Sequence, residues 1–304
     1  MLLGDFLKEG ISRLVSLYPV SEARDIVLSL CESRLGIERY TYATEPGYSL
    51  NQESFDTLSK DMDRLSAGEP LQYVLGYAWF LGRRFKVTPD VLIPRPETEI
   101  LCDEAVKFGR DLINARLTQG ASAPVWVLDL CTGSGCIAWT LFLEVPGTIV
   151  YGVDISEEAL SVASGQDLFP KIDASCQGWP DRPSPVFLQA DILSDPPIFP
   201  GGQFDLVVSN PPYVLESQKG DMRPNVLDHE PALALFVPDD DPLVFYRAVA
   251  RWARELLSPE GVGIVEINDL LGSRTRDVFL DSGFRAAELI NDYSGKNRFV
   301  KFSR

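Results

Sequence analysis

From residue 125 onward, short apolar runs rich in β-branched residues alternate with segments whose apolar residues recur at helical spacing: 125–130, 137–143, 149–153, 157–163, 186–190, 206–208, 244–257 and 263–267. This alternation leaves few ways to build a core. Parallel strands cannot be joined by a tight turn, so each connection crosses over as a helix and the helices come to cover both faces of the sheet. The expected fold class is therefore α/β, a doubly wound, mainly parallel sheet. Residues 196–202, rich in Pro and Gly, read as a loop.

The N-terminal part has a different pattern. Leu3, Leu7, Ile11, Leu14 and Tyr18 share one helical face, and Ala23, Ile26, Val27 and Leu30 share another, with Ser21 as its expected cap. A third helix is expected from a cap at Asn51 through Phe55, Leu58, Met62 and Leu65, stopped by Gly68 and Pro70. Short aromatic and β-branched pieces around Leu81-Gly82 and Thr88-Pro89-Asp90 predict a small hairpin. Pro96, with Glu97 and Glu99 behind it, suits the first turn of a helix reaching about Asn114, because a proline loses no bond there and carboxylates face the exposed amides. The expected organisation is a smaller helical-bundle domain over 1–77, a hairpin linker over 78–95 and the α/β domain over 96–304.

Charge narrows the choice of partner. The chain carries 28 basic and 44 acidic side chains, a net charge of −16, which opposes binding to a phosphate backbone. No nucleic acid is expected, and a basic protein surface suits the acidity better. Asp5, Lys8 and Glu9 interrupt the apolar run a signal peptide needs, and no stretch is apolar enough to span a bilayer, so no membrane contact and a cytoplasmic location are expected. Cys31, Cys102, Cys131, Cys136 and Cys176 are scattered and odd in number, the pattern of reduced thiols. With His229 the single histidine, a multi-histidine metal centre is excluded and no metal is expected.

Two segments carry chemistry. The first, Asp129-Leu130-Cys131-Thr132-Gly133-Ser134-Gly135, is a strand passing into a glycine-rich turn, where glycines let the backbone approach a ligand closely. About twenty residues on, the next strand ends in Asp154, where a carboxylate can hold the two hydroxyls of a ribose. An adenosine-containing cofactor is indicated. Gly133 to Ala138 also fits a dinucleotide pattern, so a nicotinamide enzyme is one reading; against it, Asp129 sits where it can accept from an ammonium, whereas a pyrophosphate gains nothing from an adjacent anion. Asp191 follows a further strand, placed to accept from an adenine amine, with Ile192 covering the ring face.

The second segment follows the buried run 204–208 and reads Asn210-Pro211-Pro212-Tyr213. Two prolines fix the backbone and set the directions of the Asn210 side chain and the Pro211 carbonyl. An amide nitrogen is a poor nucleophile because its lone pair is delocalised. Two acceptors, each taking one N–H, can aim the remaining orbital at an electrophilic carbon and stabilise the charge that develops on nitrogen. Tyr213 offers a ring to lie against a planar amide or base.

These segments, together with Pro70 to Gly76, Ile93-Pro94-Arg95-Pro96-Glu97-Thr98-Glu99 and Asp292 to Arg298, resemble the class I, Rossmann-like methyltransferases over nearly the full length, and within them the bacterial protein-(glutamine-N5) methyltransferases that modify peptide chain release factors. The resemblance implies S-adenosylmethionine as cofactor, held by Cys131, Thr132, Gly133, Ser134, Gly135, Asp154, Ile192 and Asn210, with Asp129 and Asp191 beside it. It implies methyl transfer to the glutamine of the release factor's Gly-Gly-Gln motif at Asn210, Pro211, Pro212 and Tyr213, by a monomer whose helical domain helps recognise the substrate. A ribosomal-protein glutamine methyltransferase and a nucleic-acid exocyclic-amine methyltransferase are the alternatives. Three departures from the family pattern stand out: Cys131 where glycine is usual, Val237 to Pro242 in place of a glycine-rich loop, and no glutamine shortly after Glu266. Gly201-Gly202-Gln203 matches the target tripeptide but more simply supplies a turn before a strand.

Overall fold

The computed structural model describes residues 1–168 and 183–304, so Cys176 lies outside the described residues. The chain divides into two compact units, residues 1–77 with 222–229, and residues 78–221 with 230–304.

The first unit is helical. Its N-terminal elements are α1 (Leu3–Leu14), α2 (Val20–Leu35), α3 (Thr41–Thr44), α4 (Gln52–Ser66) and α5 (Leu71–Leu75). Leu3, Leu7 and Leu14 of α1 bury against Val27 and Leu30 of α2 and Leu58 and Met62 of α4, as the periodicity requires, and Tyr18 is buried just beyond the end of α1. Asn51 caps α4 by accepting from the Ser54 amide (2.8 Å), a contribution of about 1 kcal/mol. Ser21 is a correction: Pro19 is the N-cap of α2, no side chain caps it, and Ser21 lies within its first turn. Proline's extended φ and ψ start the helix without a side-chain acceptor. Arg34 anchors the bundle, its Nε donating to the buried Asp61 (2.6 Å) and its Nη2 to the Val74 carbonyl (2.7 Å).

The boundary falls at the first residue of a hairpin, β1 (Tyr77–Phe80) and β2 (Arg83–Lys86), and the second unit continues with α6 (Pro96–Thr118), β3 (Val125–Leu130), α7 (Cys136–Glu144), β4 (Thr148–Asp154), α8 (Glu157–Ser164), β5 (Val186–Gln189) and β6 (Phe204–Ser209). There follow β7 (Val214–Leu215), α9 (Pro224–Leu227), which belongs to the first unit, α10 (Ala232–Leu235), β8 (Phe236–Val237), α11 (Val244–Leu256), β9 (Leu257–Glu266), α12 (Gly272–Asp281), β10 (Ala286–Asn291) and β11 (Asn297–Ser303). Seven strands form one sheet in the order β10-β11-β9-β6-β3-β4-β5. The pairs from β9 through β5 are parallel, whereas β11 runs antiparallel to both its neighbours.

Successive residues of each strand face opposite layers. Leu128, Val207, Val265 and Val300 pack with Trp252 of α11 and Phe279 of α12. Val127, Leu206, Ile264 and Phe299 pack on the other side with Leu101 of α6 and Ile137 of α7. The sheet is thus doubly wound. The hairpin's Phe80 and Phe85 meet edge to face, 5.8 Å between centroids, within this second layer. The hairpin turn places Leu81 at φ 45° and Gly82 at φ 72°, and the Leu81 amide donates to Glu99 Oε1 (2.8 Å). The sequence pattern did not signal α12 or the antiparallel pair β10–β11. Among the described residues no helix is long and apolar enough to cross a membrane.

Candidate functional site

Chain order reverses between β3 and β6: β4 and β5 lie on one side of β3, while β6 and β9 lie on the other. Such a switch leaves a crevice at the carboxyl ends of the strands, where the connecting segments part in opposite directions. The cleft is there, with a volume of about 460 Å³.

The turn after β3 forms its floor. Cys131 (φ 60°), Gly133 (φ 53°) and Gly135 (φ 78°) all take left-handed conformations, so Cys131 occupies a position that favours glycine. A Cβ at Gly135 would lie 3.0 Å from that of Ala163, and one at Gly152 would lie 2.6 Å from the Phe187 ring. Asp129, fully buried behind the turn, ties it down: Oδ2 accepts from Thr132 Oγ1 (2.6 Å) and the Ala138 amide (3.1 Å). Its Oδ1 has no partner among the described residues. Burial pushes the Asp129 carboxyl up to about 7, against which the bonds from Thr132 and Ala138 act. Asp154, at the end of β4, accepts from the Gly133 amide (2.8 Å) and the Ser156 amide (3.1 Å), and burial raises its pKa as well. Gln166 secures the turn from outside, donating to the Ser134 carbonyl (2.9 Å).

Asn210 stands at the end of β6. Its Nδ2 donates to Thr98 Oγ1 (3.1 Å), Thr98 Oγ1 donates to Glu266 Oε2 (2.7 Å), and Tyr213 Oη donates to Glu266 Oε1 (2.9 Å). Thr98 and Glu266 are both buried. Asn210 Oδ1 has no protein partner among the described residues, and Asn210 lines the cleft. Burial raises the Glu266 carboxyl, with the bonds from Thr98 and Tyr213 and the nearby Arg298 opposing it. Across the opening, the buried Glu230 carboxylate accepts from the Ile93 amide (3.1 Å) and from Arg95 Nη2 (2.6 Å), fixing the 93–95 segment beside Pro231.

The structure brings most of the expected site residues to one cleft. Cys131, Thr132, Gly133 and Ser134 line it, as do Asp154, Asp191 and Ile192, and so do Asn210 and Pro212. Asp129 and Gly135 lie behind the turn and act on its shape. Pro211 is buried, and the Tyr213 ring packs on the core of the first layer with its hydroxyl held by Glu266. Sequence reasoning did not assign Thr98, Gln166, Glu230 or Glu266 to the site. Thr98 lies within the 93–99 segment and Glu266 beside the third departure from the family pattern, but the partners of a buried carboxylate cannot be read from spacing. His229 belongs to the first unit, its Nε2 near Gly68, and does not line the cleft. Among the described residues no group of three His, Cys, Asp or Glu side chains is arranged to hold a metal ion.

Residues 5–76 match the family model described as the PrmC N-terminal domain. A release factor glutamine methyltransferase of Bacteroides thetaiotaomicron is 39% identical over 291 residues, covering 96% of each chain. That of Flavobacterium psychrophilum is 31% identical over 99% of each. Among solved structures, a release factor-specific protein-(glutamine-N5) methyltransferase from Alicyclobacillus acidocaldarius is similar at 24% identity and a TM-score of 0.40, covering 72% of this chain and 99% of that one.

Proposed function

Because the chain belongs to the release factor glutamine methyltransferases, it transfers a methyl group to a release-factor glutamine, and we propose that the cleft at the ends of β3, β4 and β6 does so with S-adenosylmethionine as donor. The residues present fit that group. The volume of about 460 Å³ is that of a small-molecule site. Asp129 carries a buried oxygen without a partner, and Asp154 is a second carboxylate at the end of the next strand; both are disfavoured as anions by burial. A cationic ligand relieves that cost. Asp154 takes the ribose hydroxyls, Asp191 and Ile192 the adenine, and Asp129 supports the ammonium end through the turn it braces. The donor, when bound, supplies an electrophilic methyl carbon on a sulfonium.

The chain's own residues supply position. Asn210 gives its Nδ2 to Thr98, so Oδ1 is the end left for a ligand's N–H. That oxygen and the Pro211 carbonyl each accept one hydrogen of the substrate amide, which aims the nitrogen and stabilises the positive charge it gains. Pro212 and the 93–95 segment exclude water from one side, and Glu230 holds that segment in place. The Tyr213 hydroxyl is committed to Glu266 and its ring packs on the core, so Tyr213 contributes the stiffness of the segment.

The committed Nδ2 of Asn210 is the observation that carries this reading. The target is the glutamine of the Gly-Gly-Gln motif, and the enzyme acts as a cytoplasmic monomer without nucleic acid. Mass spectrometry of a release-factor digest, after incubation with the chain and labelled donor, is expected to place one added methyl on that glutamine. Label on another residue, or none, rejects the assignment.

A further inference from the structure

We infer that Thr98 and Glu266 are positioning residues whose hydrogen-bond chain decides which end of the Asn210 amide faces the substrate. This rests on the reading of Asn210 as the acceptor of the substrate amide, and adds what makes it an acceptor. An asparagine side chain has a donor end and an acceptor end of nearly the same shape, and packing alone separates them poorly. Counting protons separates them completely.

Glu266 Oε2 and Oε1 lie 2.7 Å from Thr98 Oγ1 and 2.9 Å from Tyr213 Oη. As a carboxylate, the form that the bonds from Thr98 and Tyr213 and the nearby Arg298 favour against burial, Glu266 has no proton to give, so both hydroxyls donate to it. Thr98 has one proton, now spent, and towards Asn210 its oxygen can only accept. The end of the Asn210 amide 3.1 Å away must therefore be Nδ2, and Oδ1 is turned from Thr98. Reversing the amide would set two acceptors against each other in a buried site, where an unmet polar group costs about 1–3 kcal/mol. The chain Glu266, Thr98, Asn210 thus works as a polarity filter. It spans α6, β6 and the end of β9, so the three members are assembled only by the sheet.

Different changes to the chain have different consequences. Thr98→Ser keeps the hydroxyl and the direction of the chain. Thr98→Val keeps the volume but removes the acceptor, so either end of the Asn210 amide then meets the cleft. Glu266→Gln introduces a donor: with its amide turned to Thr98, the threonine proton is freed for Asn210 Oδ1, and the amide presents NH2 to a substrate that itself needs an acceptor.

Two measurements test this. The first needs neither donor nor substrate. In the isotopically labelled chain, exchange of the Asn210 side-chain amide protons is expected to be at least tenfold slower in the wild type and Thr98→Ser than in Thr98→Val; equal rates in all three overturn the inference, whatever the substrate proves to be. The second is steady-state methylation of a release factor. Thr98→Val and Glu266→Gln are expected to lower kcat ten- to a hundredfold with donor affinity within about twofold of wild type, while Thr98→Ser stays within about threefold in kcat. A Thr98→Ser variant as slow as Thr98→Val would assign the effect to packing and overturn the inference, as would a Glu266→Gln variant of unchanged kcat. Absence of methylation by the wild type, with the exchange pattern as expected, would instead reject the functional reading and leave the polarity of Asn210 standing.

Discussion

Asp129→Asn should gain stability relative to the wild type as the pH rises while weakening the protein's hold on the methyl donor. Asp129 is fully buried, and burial lifts its carboxyl from 3.8 to about 7. The sign follows directly. Between these values the unfolded chain has released the proton and the native chain still holds it, so native stability is full below 3.8 and is lost as pH climbs through 7. The whole loss corresponds to about 4 kcal/mol. Asparagine is neutral throughout and keeps an acceptor for Thr132 and Ala138, although its amide adds a pH-independent offset where Oδ1 had no partner. The informative quantity is therefore the slope. Urea denaturation of both proteins from pH 5.5 to 8 is expected to show the difference, variant minus wild type, growing by about 2 kcal/mol. A difference that stays flat across that range would refute the buried-anion argument. Calorimetry at pH 8 completes the test, with donor affinity expected to fall about tenfold or more in the variant, since the turn that holds the donor is no longer backed by a negative charge.

Asn210→Ala should lower kcat about a hundredfold while leaving donor affinity within a few-fold, because it removes an acceptor for the reacting nitrogen; turnover near wild type in a methyl-transfer assay would reject its role. Asp154→Ala should weaken donor binding in calorimetry more than it changes peptide affinity, and equal donor affinity would contradict the ribose assignment. Gly263→Ala places a Cβ 2.0 Å from Phe302 Cζ on the inner face of β9, so a loss of about 2 kcal/mol or more is expected by thermal melt, and an unchanged midpoint would show that the ring can move aside. Arg95→Ala leaves Glu230, buried and still bonded to the Ile93 amide, without its cation; a loss of about 2–3 kcal/mol is expected in urea denaturation, and none would mean that water replaces the guanidinium.

The sequence by itself determined the layered α/β unit, because alternating periods of two and 3.6 residues specify which faces are apolar before any contact forms: β3 is legible over its full extent, α7 and β4 to within a residue at each end, and Asn51 as the cap it is. It also determined the turn after β3 and the tetrapeptide after β6, whose glycines and prolines act on their own backbone. The antiparallel β10–β11 pair escaped because exposed and buried residues mix there, and α2 starts at Pro19 without the expected help from Ser21. Within the site, the sequence places Asp154, Asp191 and Asn210 at or just beyond strand ends, while the bonds from Thr132 and Ala138 to Asp129 Oδ2 are seen only in the folded turn. Only the tertiary structure decided how Thr98 and Glu266, 168 residues apart, meet behind Asn210. The physical reason is that hydrogen bonds between buried side chains depend on which strands lie side by side. Strand order in a doubly wound sheet comes from the packing of the whole unit and is written in no single segment.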